Sequence, residues 1–267
     1  MPDAGTLCRD LGRIRETAPV VHNITNYVVM NTTANALLAV GASPVMAHAP
    51  EEVGEMVGLA GALVVNIGTL SAQWVASMRE AIRAAAGTGT PWVLDPVGAG
   101  ATRLRTATAL SLIEESPPSV VRGNPSEILA LQGAANATRG VDSVHASDAA
   151  LASAQALAAS LGCVVSVSGE VDLVTDGATL VRVSNGHPLM PRVTGLGCTA
   201  SALTGAFLAV NPSALEAASD AMAVMGIAGE MAMEQAHGPG TLQLYFLDAL
   251  HAMTDEDVAQ RVRMEVV

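Results

Sequence analysis

Short, almost wholly apolar runs alternate along this chain with longer helical stretches, and that alternation restricts the possible folds more than any other feature. The runs occupy residues 19–22, 44–46, 63–67, 92–95, 120–122 and 163–168. A strand with one wet face alternates apolar and polar residues, whereas a strand covered on both faces reads as a continuous apolar run. Helical stretches fill the gaps: a charged segment at 3–17, a helix ending near Gly41, one opened by Pro50-Glu51-Glu52, and helices at 73–86, 106–115 and 147–161. A shorter one begins with Pro125 at its first helical position. Repeated βα units of this kind predict an α/β fold, with a mostly parallel central sheet and helices on both faces.

The pattern changes after residue 168. Residues 172–175 and 179–183, joined by Asp176-Gly177, predict a small β-hairpin, because Asp-Gly suits a tight turn between strands. From Cys198 to Ala252 the chain reads as helical, with two alanine-rich helices divided at Asn211-Pro212 and another after Gly238-Pro239-Gly240. No repeat, low-complexity linker or composition boundary interrupts the sequence, so residues 1–267 are expected to form a single domain. Half the residues are apolar but only 2% are aromatic, which predicts a core of helices packed through small side chains.

Polar residues fall where such a sheet would use them. Asn23, Met46, Asn66 with Gly68, Asp95, Arg122 with Asn124, and Ser168 lie at or just past the C-terminal ends of apolar runs. In open parallel sheets that edge is the crevice where ligands bind. The stretch 193–206, VTGLGCTASALTGA, adds a Gly-x-Gly turn running into a small-residue helix, whose unpaired N–H groups suit an anion such as a phosphoryl group. Cys198 sits in that turn, where the helix end is expected to favour its thiolate, making it a candidate base, nucleophile or hydrogen-bond partner.

Asp95 and Glu127 are candidates to share Mg²⁺ with a phosphate, since that ion takes one or two carboxylates plus substrate oxygens. Arg122 presents a donor fork that fits phosphate, and Asn124 and Ser168 offer polar groups to a nucleotide. Each also has an ordinary reading. Asp before Pro forms turns, Glu127 suits a first helical turn, a strand-end arginine often pairs on the surface, and Asn124 and Ser168 can cap local backbone. His22, His48 and His187 have no metal-ligand spacing and read as structural.

A formal net charge of -12 with no basic cluster argues against nucleic acid as a partner. Cys8, Cys163 and Cys198 are an odd set without metal spacing, which fits a reducing compartment. The charged N-terminal stretch does not read as a signal peptide, and the uncharged runs 56–78 and 193–215 are too interrupted by Gly, Asn, Gln, Ser and Thr to span a membrane. The expectation is a soluble, cytoplasmic protein that binds a small anionic ligand locally.

Taken in order, HNITN (22–26), GASPVMAHAPEE (41–52), NIGT (66–69), DPVGAG (95–100), RGNPSE (122–127), SGEVD (168–172), GHPLM (186–190) and TGLGC (194–198) closely resemble hydroxyethylthiazole kinases, a branch of the ribokinase-like superfamily. The resemblance covers nearly the whole chain. It implies Mg²⁺-dependent phosphoryl transfer from ATP to the hydroxyethyl group of 4-methyl-5-(2-hydroxyethyl)thiazole, a salvage step toward thiamine, and a homotrimer with sites between subunits. By position it implies thiazole near Met46 and Gly195, with Asn26 and Gly68 lining the same pocket. ATP would contact Arg122 and Ser168, and Asp95 and Glu127 would serve the magnesium. Ser168 stands where threonine is commoner, Leu196 where a smaller or polar residue is frequent, and Cys198 where related sugar kinases place an aspartate. A hydroxymethylpyrimidine kinase, a nucleotide-dependent hydrate dehydratase and a non-catalytic ATP- or thiazole-binding module remain as alternatives.

Overall fold

In the computed structural model, which describes residues 2–135 and 146–267, the apolar runs become neighbouring strands of one sheet. They do so because β-branched residues fill them, as in Ala-Leu-Val-Val-Asn and Val-Val-Ser-Val. The strands are β1 (Val20–Ile24), β2 (Ser43–Val45), β3 (Ala62–Asn66), β4 (Trp92–Asp95), β5 (Val120–Gly123), β6 (Val164–Val167), β7 (Asp172–Thr175), β8 (Leu180–Val183) and β9 (Met264–Val266). Their order is β2-β1-β3-β4-β5-β6-β7-β8-β9. The first six in that order pair in parallel and the last three antiparallel, with β7 and β8 forming the expected hairpin.

Both faces are covered, and the strand residues divide between them by the two-residue period. Ala62 and Val64 join one apolar cluster, Leu63 and Val65 the other. On the first face lie α1 (Ala4–Thr17), α2 (Met30–Val40), α8 (Leu196–Leu208), α9 (Ala214–Met233) and α10 (Pro239–Ala252), contributing Leu11, Leu37, Leu203, Phe207, Ile227 and Phe246. On the second lie α3 (Val53–Leu59), α4 (Ala72–Thr88), α5 (Arg103–Glu115), α6 (Pro125–Ala135) and α7 (Ala146–Leu161), contributing Val57, Ile82, Leu112, Ile128 and Leu157. The scarcity of aromatics is met as expected: in α9, Ala217, Ala218, Ala221, Ala223 and Ala228 are fully buried, so the helix packs through methyl groups.

Three boundaries differ from the sequence reading. β1 runs on to Ile24, beyond the expected end at residue 22, so Asn23 is a buried strand residue. The glycine turn is shorter than expected, because α8 starts at Leu196 and Gly197 and Cys198 already belong to its first turn. Beyond α10 the chain adds α11 (Asp255–Arg261), opened by a reciprocal cap between Thr254 and Asp257, and then β9 on the sheet edge. Among the described residues, no helix is long and apolar enough to cross a membrane.

Candidate active site

The six parallel strands deliver the residues that follow them to one edge of the sheet, and a connected row of side chains forms there. Asn26, just past β1, donates to Asn66 Oδ1 at 2.9 Å and to Cys198 Sγ at 3.5 Å. Asn66, the last residue of β3, donates to Asp95 Oδ2 at 2.7 Å. Ser201, on α8, donates to the same oxygen at 2.8 Å. Both bonds use Oδ2, which leaves Asp95 Oδ1 for a ligand. Gly68 joins the row through its N–H, bonded to Asn66 Oδ1 at 2.9 Å, and its carbonyl accepts from Arg105 at 2.7 Å.

The electrostatics of the row are set mainly by burial. Asp95 is 1% exposed, and desolvation pushes its carboxyl up to about 6. Arg122 and the hydrogen bonds from Ser201 and Asn66 oppose that shift, while Glu127 adds to it. The Cys198 thiol is pushed up to about 11, first by burial and then by the negative charge of Asp95. The expected thiolate is therefore corrected: a helix end contributes at most about 2 kcal/mol in favourable sites, and here desolvation beside a carboxylate outweighs it.

Arg122 ends the row on the other side. It is 7% exposed, its Nε has no hydrogen-bond partner, and no carboxylate pairs with it among the described residues. It packs against the start of α8, where a Cβ on Gly197 would come within 2.9 Å of Arg122 Nη1. Gly195 caps the helix with φ 86° and ψ -8°, a left-handed conformation that glycine adopts without penalty. A buried, unpaired guanidinium beside free helix N–H groups is a place for an anion.

A cleft of about 980 Å³ opens from this corner. Arg122, Ser168, Gly195 and Gly197 line its polar end, and Asp172, Asn185, Met190, Met222 and Gly226 continue it. Other expected site residues lie outside the cleft. Met46 follows edge strand β2 and is half-buried, its segment fixed by a 2.8 Å bond between His22 Nε2 and the Ala47 carbonyl. Glu127 accepts from the N–H of Gly98 and of Asn124, each at 2.8 Å, so it braces the loop after β4 against the start of α6. Asn124 caps α6 by accepting from the Glu127 N–H at 3.0 Å.

Sequence reasoning missed Ser201, Arg105 and Asp172. Ser201 lies three residues after Cys198, one helical turn on, and that spacing is a signal that could have found it. Arg105 sits in an ordinary helix, and Asp172 resembles any turn former.

The architecture is shared with a ribokinase-like superfamily protein from Enterococcus faecalis: the two have 16% sequence identity and a TM-score of 0.62, over 88% of this chain and 87% of that one. At that identity the likeness speaks for the fold alone. The family model described as "Hydroxyethylthiazole kinase family" matches residues 11–256. A hydroxyethylthiazole kinase of Syntrophus aciditrophicus is 60% identical over 94% of this chain and 93% of its own length. A solved hydroxyethylthiazole kinase structure from Pyrococcus horikoshii has 44% identity and a TM-score of 0.92, covering 98% of this chain and 99% of that one. The chain is a member of the hydroxyethylthiazole kinase family.

Proposed function

We propose that this protein transfers the terminal phosphoryl group of ATP to the hydroxyl of hydroxyethylthiazole, in salvage toward thiamine. Beside the family membership, one observation carries this reading. A buried arginine with an unpaired Nε stands against the first turn of α8, next to a hydrogen-bonded row that ends in Cys198. Arg122 and the first N–H groups of α8 bind phosphate oxygens, and the Ser168 hydroxyl assists from the end of β6. The thiazole lies on the far side of the row, against Asn26, Gly68, Gly195 and Met46, with its hydroxyl at Cys198.

The donor set suits magnesium that arrives with the nucleotide. Among the described residues no group of three or more acidic, histidine or cysteine side chains could hold a metal by itself. One or two carboxylates plus phosphate and water are a common arrangement for Mg²⁺. Asp95, through Oδ1, would hold the ion directly, and Glu127, both of whose oxygens already accept backbone bonds, would act through water. Held there, Mg²⁺ would supply neutralisation of charge on the phosphate oxygens. Cys198, protonated at neutral pH, orients the acceptor hydroxyl and does not remove its proton beforehand. A loose phosphoryl-transfer transition state does not require early deprotonation.

The deciding assay measures ADP formation from ATP and Mg²⁺ with hydroxyethylthiazole, with hydroxymethylpyrimidine and with neither. ADP appears only with the thiazole; equal or faster turnover of the pyrimidine overturns the substrate assignment. The un-ionised thiol is the one observation that favours a non-catalytic binding module, and ligand binding without ADP formation would establish that instead. We further infer a single domain over residues 1–267, a cytoplasmic setting for three unpaired cysteines, and a homotrimer. Tyr27 and Val28, 66% and 65% exposed beside Asn26, support subunit packing near the site. Light scattering that returns a fully active monomer would refute the trimer.

A further inference from the structure

The cleft contains a carboxylate that neither the hydrogen-bonded row nor the proposed magnesium site uses. Asp172 opens β7, is 8% exposed and lines the cleft. One of its oxygens accepts from the Gly169 N–H at 2.9 Å. The other has no hydrogen-bond partner among the described residues, and Arg122 is not within ion-pair distance.

Its position follows from the sheet. β5, β6, β7 and β8 are consecutive neighbours, and Asp172 pairs with Val183, so the edge runs Arg122, Ser168, Asp172, Ser184. Neighbouring strands are about 4.8 Å apart, which sets β7 about 10 Å from β5. A nucleotide with phosphates at Arg122 and Gly197 and its base at the apolar end, by Met190 and Met222, must lay its sugar across Ser168 and Asp172. A sugar diol brings O–H donors, and an ionised carboxylate oxygen can only accept. Burial pushes Asp172 up to about 6, so it is still ionised at neutral pH.

We propose that the free oxygen of Asp172 accepts a hydrogen bond from the ribose hydroxyls of the bound nucleotide and makes the site prefer ribonucleoside over deoxyribonucleoside triphosphates. This rests on the reading of the cleft as the ATP site. A bond from a hydroxyl to a charged acceptor makes the parent favour ATP over 2′-deoxy- or 3′-deoxy-ATP by about tenfold or more in kcat/KM. Asp172→Asn keeps an acceptor for the Gly169 N–H but loses the charge, and shrinks the preference about threefold or more. Asp172→Ala abolishes it.

The experiment is steady-state kinetics of the full-length parent and both variants with ATP and the two deoxy analogues, alongside thermal melts. Should Asp172→Ala not fold, Asp172→Asn alone decides. A parent indifferent to both deoxy analogues overturns the proposal, and so does a preference that both variants retain. A parent that turns over no nucleoside triphosphate refutes the reading of the cleft, and the ribose proposal falls with it. Activity with unchanged discrimination removes the ribose proposal only.

Discussion

Ser201→Ala should move the acid limb of catalysis upward. In the parent, Asp95 Oδ2 takes two hydrogen bonds, from Asn66 at 2.7 Å and Ser201 at 2.8 Å, and the carboxyl still rises to about 6. Bonds to a charged group are worth about 1.5–3 kcal/mol, and one pKa unit corresponds to about 1.4 kcal/mol. The Asn66 amide takes up part of the lost stabilisation, so the lower end applies and the carboxyl moves from about 6 to about 7. If the ionised form binds the nucleotide's metal, kcat/KM falls as pH drops through that value. At about pH 6.5 the ionised fraction shrinks about threefold, whereas at about pH 8.5 the two proteins are nearly equal. The assay is kcat/KM for ATP from about pH 5.5 to about pH 9, with buffers matched in ionic strength. A variant that loses activity equally at every pH would show that Ser201 supports packing alone, and an unmoved limb would exclude Asp95 as its source.

Gly197→Ala places a methyl group 2.9 Å from Arg122 Nη1, the end of a side chain and not backbone, so the guanidinium must shift while the fold survives. KM for ATP should rise about tenfold with Tm nearly unchanged, and steady-state kinetics beside a thermal melt checks both. Cys198→Ala should keep turnover within about a hundredfold of the parent, the low end of general acid–base contributions. Because the thiol titrates at about 11, the parent should show no alkaline limb between about pH 7 and about pH 9, and a limb there that vanishes in the Ala variant would restore the thiol as a base. Asp220 is fully buried in α9 with both oxygens unpartnered, and burial together with Asp10 and Glu216 pushes it up to about 8. Its native value lies above the ordinary one, so the folded state holds the extra proton and stability declines as pH rises toward about 8. Asp220→Asn should therefore raise Tm by several degrees at about pH 8 and by little at about pH 5, and scanning calorimetry showing the reverse order would refute the buried-acid account.

The sequence made the sheet edge legible because a strand buried on both faces leaves only its end free to be polar. Asn66 and Asp95 are the last residues of β3 and β4 and meet at 2.7 Å, as that rule requires. Ser201 escaped because a hydroxyl residue in a small-residue helix is ambiguous from composition: of the three in α8, Thr199, Ser201 and Thr204, Ser201 reaches the carboxylate while Thr204 bonds back to the Ala200 carbonyl at 2.9 Å. The wall of the cleft is harder still to read. Asn185 and Gly226 are 41 residues apart, yet a Cβ on Gly226 would fall 2.4 Å from the Asn185 Cβ. Only the packing of α9 against the segment after β8 reveals that contact. Strand β9 depends on the same layer, since Arg263, immediately before it, donates its N–H to Asn185 Oδ1 at 2.8 Å while Glu230 of α9 accepts from the Gly186 N–H, also at 2.8 Å. Local pattern thus locates the polar end of the cleft, where each strand brings its own signal. The wall beyond it is assembled from segments that carry no signal until they are packed together.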